Sequence, residues 1–207
     1  KDFLLYSISF LFYFFPISFV LGSLIVNLNT ILFITLGFIY ISLNKLKLNF
    51  NLTNSCLLLF FLTIIFSSYI NLELIGSNNF YKSIFLIRFY FLFILLEVLL
   101  LHKKIDVKYF FYICFILIIF VCLDLSLQFF SGKNILGYEP WEGRITGIFD
   151  HEAIAGSYVQ KIFLFSLIAI FIQLIISSRK KDILYIFSFI TIFFGSYIAN
   201  NRISFLI

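Results

Sequence analysis

A short polar segment of this chain combines residue types that bind anions and transfer protons. It is the segment Gly143–Tyr158, in which Arg144, Asp150, His151 and Glu152 stand between two long apolar stretches. Charge is costly beside a lipid bilayer, so its concentration here marks a candidate functional site. Arginine suits phosphate, because its planar guanidinium donates two parallel hydrogen bonds and stays charged at working pH. A helix beginning after this turn would add free backbone N–H groups to such an anion site.

The acidic residues and the histidine of this segment also have ordinary explanations. Either Asp150 or Glu152 can cap the N-terminus of the following helix. One cap does not need both carboxylates, so Glu152 is kept as a candidate substrate-binding residue. His151 titrates in a range suited to proton transfer. A single loop histidine is more often incidental, however, and we assign it no role.

The composition identifies a polytopic membrane protein. Of the 207 residues, 62% are hydrophobic and 12% are charged, and the mean hydropathy is +1.10. Soluble domains carry about 25% charged residues. The net charge of +5 does not indicate nucleic-acid binding, because the basic residues lie in short loops between apolar runs. The three cysteines lie inside apolar runs, with no spacing typical of a disulfide framework or thiolate metal site.

The apolar runs predict an all-α fold, a transmembrane helical bundle with seven to eight spans. A span needs about 20 mostly apolar residues. We expect residues 1–207 to form a single transmembrane domain of a longer protein, since the chain lacks Met and stops within an apolar run. Gly22 and the polar residues Asn27–Thr30 predict a turn before the second span. The predicted spans are Phe3–Leu21, Leu28–Leu43, Leu52–Ile70, Phe80–Leu101, Lys108–Phe130, Ala153–Ile176 and Ile183–Ala199, with an eighth beginning near Ile203.

The basic loops predict the orientation of these spans. Loops containing Lys45 and Lys47, His102–Lys108, and Arg179–Lys181 all fall on one side of the membrane. The positive-inside rule makes that side cytoplasmic. The N-terminus is then cytoplasmic, and the polar segment lies on the outer face, in the periplasm of a Gram-negative cell.

Three ionisable residues lie within the predicted spans at similar depth. Arg88, Asp124 and Lys161 are each roughly 9–13 Å from the outer surface, at 1.5 Å per helical residue. We expect them to line one water-filled cavity, with a structural ion pair between Arg88 and Asp124 as the alternative. Gln128 lies on the same helical face as Asp124. Glu97 is expected to reach the cytoplasmic interface beside lysines and is assigned no function.

A second candidate site stands near the end of the chain. Arg202 is predicted to lie at the outer mouth between the seventh and eighth spans. The alternative is that its guanidinium simply reaches the interface from an otherwise apolar environment. Together, Arg144 and Arg202 on one face of the membrane would suit the two anionic centres of a diphosphate.

The motif Arg-Ile-Thr-Gly-Ile-Phe at 144–149, followed by Glu152 and by Gly156–Lys161, resembles the bacterial O-antigen polymerase and O-antigen ligase superfamily. The segment Asn201–Leu206 resembles the second family signature, although Asn200 and Asn201 stand where glycine or an acidic residue is common. The turn at 150–152 looks more like the polymerase branch than the ligase branch, whose turn usually contains Pro-Asn.

This resemblance implies a metal-independent, inverting glycosyl transfer at the outer face of the bacterial inner membrane, without a cofactor. An acceptor hydroxyl would attack the anomeric carbon of an undecaprenyl-diphosphate-linked glycan, and undecaprenyl diphosphate would leave. Arg144 and Arg202 would be catalytic, because they would stabilise the charge developing on the diphosphate. The implied substrate-binding residues are Arg88, Asp124, Glu152 and Lys161. The implied partners are the lipid-linked glycan, the lipid bilayer and either a chain-length regulator or a lipid A core acceptor, with no nucleic acid.

Two alternatives stay open at the level of sequence. An O-antigen ligase would use the same donor and the same arginines but would join the glycan to lipid A core. A transporter or flippase for a lipid-linked or small anionic solute would also need basic residues in a cavity. The inverted repeats with broken helices that many transporters contain are not evident here.

Overall fold

A computed structural model describes residues 2–48, 50–141, 144–149, 154–176 and 179–199. These residues are helical apart from their connecting loops and contain no strand, so the all-α prediction is confirmed. The helices are α1 (Asp2–Leu21), α2 (Ser23–Leu43), α3 (Leu52–Ile70), α4 (Leu72–Ile75), α5 (Ser77–Phe85), α6 (Ile87–Leu101), α7 (Val107–Ser131), α8 (Ala155–Ile176) and α9 (Arg179–Ile198), with a 3-10 turn at Gly147–Phe149.

Within the described residues, five helical segments are long and apolar enough to cross a membrane. They are α1, α2, α3, α5 together with α6, and α7. Helix α8 matches the predicted sixth span to within two residues. Helix α9 begins at Arg179 rather than Ile183, so the basic residues Arg179–Lys181 lie in its first turn and not in a loop. Each of these two helices contains a shorter described apolar stretch. The chain therefore has the helices of a membrane protein. The eighth span predicted near Ile203 lies outside the described residues.

The connection between α1 and α2 is shorter than the sequence predicts. Helix α2 begins at Ser23 rather than Leu28, and only Gly22, with φ of +108°, separates it from α1. Asn29 was predicted in a turn but is buried within α2. Its Nδ2 donates a hydrogen bond to the carbonyl oxygen of Leu11 at 3.2 Å. The turn prediction is wrong because this bond satisfies a polar side chain inside a pair of apolar helices.

The described helices group into two compact units. Unit 1 comprises Lys1–Phe14 and Ser23–Asp106, and unit 2 comprises Phe15–Gly22 and Val107–Ile207. In unit 1, α2 packs against α6, and α3 packs against α5 and α6. In unit 2, α7 lies at the centre and packs against both α8 and α9. Helix α1 contributes its first part to unit 1 and its last part to unit 2.

Glu97 is held inside unit 1 by amide groups rather than by lysines. Asn51 Nδ2 donates to Glu97 Oε1 at 3.1 Å, and Asn54 Nδ2 donates to Oε2 at 2.9 Å. The carboxylate is half-buried between α3 and α6. Each of its oxygens therefore receives a hydrogen bond, which reduces the cost of charge in an apolar setting. The expectation that Glu97 would lie beside lysines at the interface is corrected by these contacts.

The core of unit 2 is built around one face of α7. Buried residues of α7 pack against residues of α8 and α9 and against the 3-10 turn. The hydroxyl of Tyr158 donates to the carbonyl oxygen of Pro16 at 3.2 Å, which ties α8 to the end of α1 within the same unit. The α7 side chains in this core are Cys114, Ile118, Val121, Cys122 and Leu125.

Helices α7 and α9 approach each other most closely where Gly195 faces Cys122. A Cβ atom built at Gly195 would lie 2.6 Å from Cys122 Cβ and 3.0 Å from Cys122 Cα. These distances are shorter than packed atoms allow. Small residues at such crossings let two helix backbones approach and gain van der Waals contact within a membrane.

Replacing Gly195 by alanine is expected to destabilise unit 2 by about 1–3 kcal/mol, because the added methyl group must push α7 and α9 apart. The matched control is Gly37→Ala in α2, where the new Cβ would meet only the flexible end of Leu95 at 3.1 Å. Both changes gain helix propensity equally. The measurement is the midpoint of thermal aggregation in detergent, and a Gly195→Ala protein as stable as Gly37→Ala would contradict the close crossing.

Candidate functional site

The loop that follows α7 folds back along the last two turns of that helix. We call residues 132–141 and 144–149 the return loop. Asp124 and Gln128 lie one helical turn apart on α7, and both side chains have no exposed surface. Their polar atoms meet the backbone of the return loop, as the hydrogen bonds below show. The return loop therefore explains why two polar side chains are buried on an apolar helix.

Gln128 binds the return loop at two separate places. Its Oε1 accepts hydrogen bonds from the backbone N–H groups of Thr146 and Gly147, at 2.9 and 2.7 Å. Its Nε2 donates to the carbonyl oxygen of Tyr138 at 3.2 Å. The single amide side chain therefore links the early and the late part of the loop.

Asp124 binds the same loop one turn deeper on α7. Its Oδ1 accepts a hydrogen bond from the N–H of Ile135 at 2.9 Å. Its Oδ2 is buried and has no hydrogen-bond partner in the described part of the chain. Hydrogen bonds from backbone N–H groups to a carboxylate are among the stronger ones in proteins. The carboxyl group of Asp124 thus faces the loop of its own unit rather than an open water-filled cavity.

Asn134 closes this polar arrangement from within the loop. Its Nδ2 donates to the carbonyl oxygen of Gly147 at 2.7 Å, and its Oδ1 accepts from the N–H of Tyr138 at 2.7 Å. The side chain is 5% exposed. We call Asp124, Gln128 and Asn134 the polar clamp. These three side chains form hydrogen bonds with backbone N–H and C=O groups of the return loop. In a helix or a sheet, other backbone groups would be the partners.

The position of the return loop explains why its backbone needs the polar clamp. The 25 residues of α7 extend over roughly 37 Å at 1.5 Å per residue, which exceeds the roughly 30 Å of bilayer hydrocarbon. A loop folded back on the end of such a helix lies close to the hydrocarbon boundary. Irregular backbone is tolerated at that depth only where protein groups satisfy its N–H and C=O atoms.

Gly147 allows the loop to approach α7. Its φ is +59°, a conformation that residues with a side chain rarely adopt. A Cβ at this position would lie 2.9 Å from Asp124 Oδ2 and 3.0 Å from Leu125 Cδ2. The backbone conformation and the lack of space both require glycine here. The sequence drew attention to this glycine only as part of a motif.

Arg144 projects from the return loop as an exposed cation. Its N–H donates to the carbonyl oxygen of Trp141 at 2.8 Å, and the N–H of Trp141 donates back to Arg144 at 3.1 Å. This pair of hydrogen bonds fixes the backbone that carries the guanidinium. Lys133, another cation of the loop, forms an exposed salt bridge with Glu139 at 3.2 Å. Among the described residues Arg144 forms no salt bridge, and its side chain is exposed.

The other predicted site residues are placed as follows. Lys161 lies on an exposed side of α8 in unit 2. Arg88 belongs to unit 1, where its guanidinium carbon lies 5.0 Å from the ring centroid of Phe89, within the range of a cation–π contact. Its Nε atom is buried and has no hydrogen-bond partner in the described part of the chain. Glu152 and Arg202 lie outside the described residues, as do Asp150 and His151.

Two residues that hold the return loop are not evident as site residues from the sequence. Gln128 was noted only as a neighbour of Asp124, and Asn134 was not considered. A signal existed in the spacing of two polar residues, four apart, near the end of an apolar span that precedes a loop containing Asn and Gly. In the part of the chain that the structure describes, no three His, Cys, Asp or Glu side chains are grouped as metal ligands.

Comparison of the chain with protein-family models, with curated proteins and with solved structures finds no match. A functional assignment therefore depends on the residues and the geometry of the return loop.

Proposed function

We propose that this protein is a membrane glycosyltransferase of the O-antigen polymerase type. It would transfer an undecaprenyl-diphosphate-linked glycan to an acceptor sugar hydroxyl at the outer face of the bacterial inner membrane. The observation that carries the proposal is Arg144, an exposed cation on a loop that Asp124 and Gln128 fix to the end of α7. The sequence resemblance at 144–149 supports the same assignment.

The proposed chemistry uses a guanidinium that a fixed loop backbone carries beside the membrane. The oxygen of the acceptor hydroxyl forms a bond to the anomeric carbon and releases its proton to water, and the bond from that carbon to the diphosphate oxygen breaks. The electron pair leaves with undecaprenyl diphosphate, whose added negative charge Arg144 stabilises through two parallel hydrogen bonds. A donor that is already in position stabilises the transition state without the cost of reorganisation.

The remaining predicted residues have supporting roles in this proposal. Arg202 holds the second phosphate group, and Glu152 orients Arg144 or the acceptor sugar. Lys161, which belongs to the same unit as Arg144, contributes further positive charge to the donor site. The return loop then faces the periplasm, and the loops rich in lysine and arginine face the cytoplasm, as the positive-inside rule predicts.

The proposal is tested by reconstituting the purified protein in lipid vesicles with undecaprenyl-diphosphate-linked repeat units extracted from cells that lack it. We expect longer lipid-linked chains together with released undecaprenyl diphosphate. Vesicles without the protein are the control. Vesicles that contain the protein but yield only the starting repeat unit would contradict polymerase activity.

Deletion of the gene distinguishes the polymerase from the ligase. Loss of a polymerase leaves lipid-linked single repeat units, whereas loss of a ligase leaves lipid-linked polymer that is not joined to lipid A core. Accumulation of polymer on the lipid carrier would therefore contradict the polymerase proposal and support the ligase alternative.

A further inference from the structure

We infer that Gln128 is a positioning residue for Arg144. This inference rests on the proposed function, since it assigns to Gln128 the task of holding the arginine where it meets the leaving diphosphate. Gln128 touches neither substrate nor reacting atoms in this proposal. It acts only through the backbone of the return loop, by the three hydrogen bonds described above.

The hydrogen bonds of Gln128 lie on both sides of Arg144 in the sequence. Tyr138, which accepts from Nε2, precedes the paired residues Trp141 and Arg144. Thr146 and its neighbouring glycine, which donate to Oε1, follow them directly. The side chain thus links both arms of the segment that carries the guanidinium. Without this link, the hydrogen bond from Ile135 to Asp124 still holds the early part of the loop on α7, but the late part loses its two hydrogen bonds to the helix.

Only a glutamine side chain fits this role at position 128. The site needs one acceptor for two N–H groups and one donor for a carbonyl oxygen, in a place without exposed surface. Asparagine carries the same groups but is one methylene shorter, and glutamate has no N–H to donate. Methionine has similar length but leaves two buried N–H groups without an acceptor, which costs more than the bonds themselves contribute.

The structure offers a matched control on the same helix. The hydroxyl of Ser126 donates to the carbonyl oxygen of Cys122 at 2.7 Å, a hydrogen bond within α7. Ser126→Ala therefore removes a polar group two residues from Gln128 without removing a hydrogen bond to the return loop. It controls for changes in the stability of the helix itself.

The first experiment measures hydrogen–deuterium exchange of the whole protein in detergent. Gln128→Met is expected to accelerate exchange of the N–H groups at 144–149 by about tenfold, because a buried acceptor is lost. Peptides from the centres of α7 and α8 are expected to exchange as in wild type and in Ser126→Ala. Unchanged exchange at 144–149 would overturn the inference, whatever the function of the protein proves to be.

The second experiment measures chain extension in vesicles with lipid-linked repeat units. Gln128→Met is expected to lower kcat by about tenfold, with KM for the donor within about twofold of wild type, because it weakens an interaction made in the transition state. In an Arg144→Ala background the same change should have almost no further effect. A full tenfold loss in that background would overturn the positioning role.

The two experiments separate failure of the inference from failure of the proposed function. Faster exchange at 144–149 in Gln128→Met with full activity, where Arg144→Ala has lost about 10²-fold or more, overturns the positioning role and leaves the proposed function standing. An inactive wild-type protein, or an Arg144→Ala protein with full activity, contradicts the proposed function and therefore the positioning role that rests on it.

Discussion

Cells in which Arg144 is replaced by alanine are expected to lose their polymer and to accumulate lipid-linked single repeat units. The guanidinium is exposed and without a salt bridge among the described residues, and the backbone that carries it is held by the pair of hydrogen bonds with Trp141. Loss of one donor that stabilises a developing negative charge lowers rates about 10²- to 10³-fold in other enzymes. The measurement is the ladder of chain lengths on a gel, together with extraction of the lipid-linked intermediates.

Two further variants serve as controls for the charge and for the shape of the Arg144 side chain. Lys133→Ala removes another exposed cation of the same loop, one already paired with Glu139, and should leave the ladder unchanged. Arg144→Lys keeps the charge but loses the planar fork that binds two phosphate oxygens, so it should retain only part of the activity. A normal ladder in Arg144→Ala, with the protein present at the wild-type level, would show that Arg144 does not take part in the reaction.

Replacing Gly147 by alanine is expected to release the return loop from α7 and to reduce chain extension by at least about tenfold. The new Cβ would lie 2.9 Å from Asp124 Oδ2, in a backbone conformation with φ of +59°. Backbone strain of this kind costs of the order of 1–3 kcal/mol. Relief requires the loop to move, which breaks the hydrogen bonds to Gln128. The measurements are initial rates in vesicles and limited proteolysis of the loop.

Gly137→Ala is the matched control for this prediction. Gly137 has φ of +87° in the same loop, but a Cβ built there meets nothing within 4 Å. Alanine at position 137 therefore adds backbone strain but makes no new contact with α7. We expect a smaller loss of activity and no change in the proteolysis pattern around the polar clamp. Equal behaviour of the two variants would show that the contact with Asp124 is unimportant.

The positions of the helices were predictable from the chain because apolar residues dominate them. Long apolar runs must be helical in a bilayer, where every backbone N–H and C=O group needs a partner within its own segment. The predicted third span, Leu52–Ile70, coincides with α3. The prediction was wrong where a polar residue forms a hydrogen bond with a partner distant in sequence. Asn29 lies within α2 rather than in a turn before it, because Leu11 accepts its hydrogen bond.

Sequence alone determined that this chain is a set of apolar helices and that Arg144 stands in a polar connection between two of them. Both properties depend on composition and local order, which the chain carries directly. Only the tertiary structure decided that Asp124 and Gln128 bind the return loop, and that Gly147 must be glycine. Those contacts join residues that are up to 23 positions apart in sequence, as Gly147 and Asp124 are, and no local pattern specifies which buried side chain a loop backbone will meet.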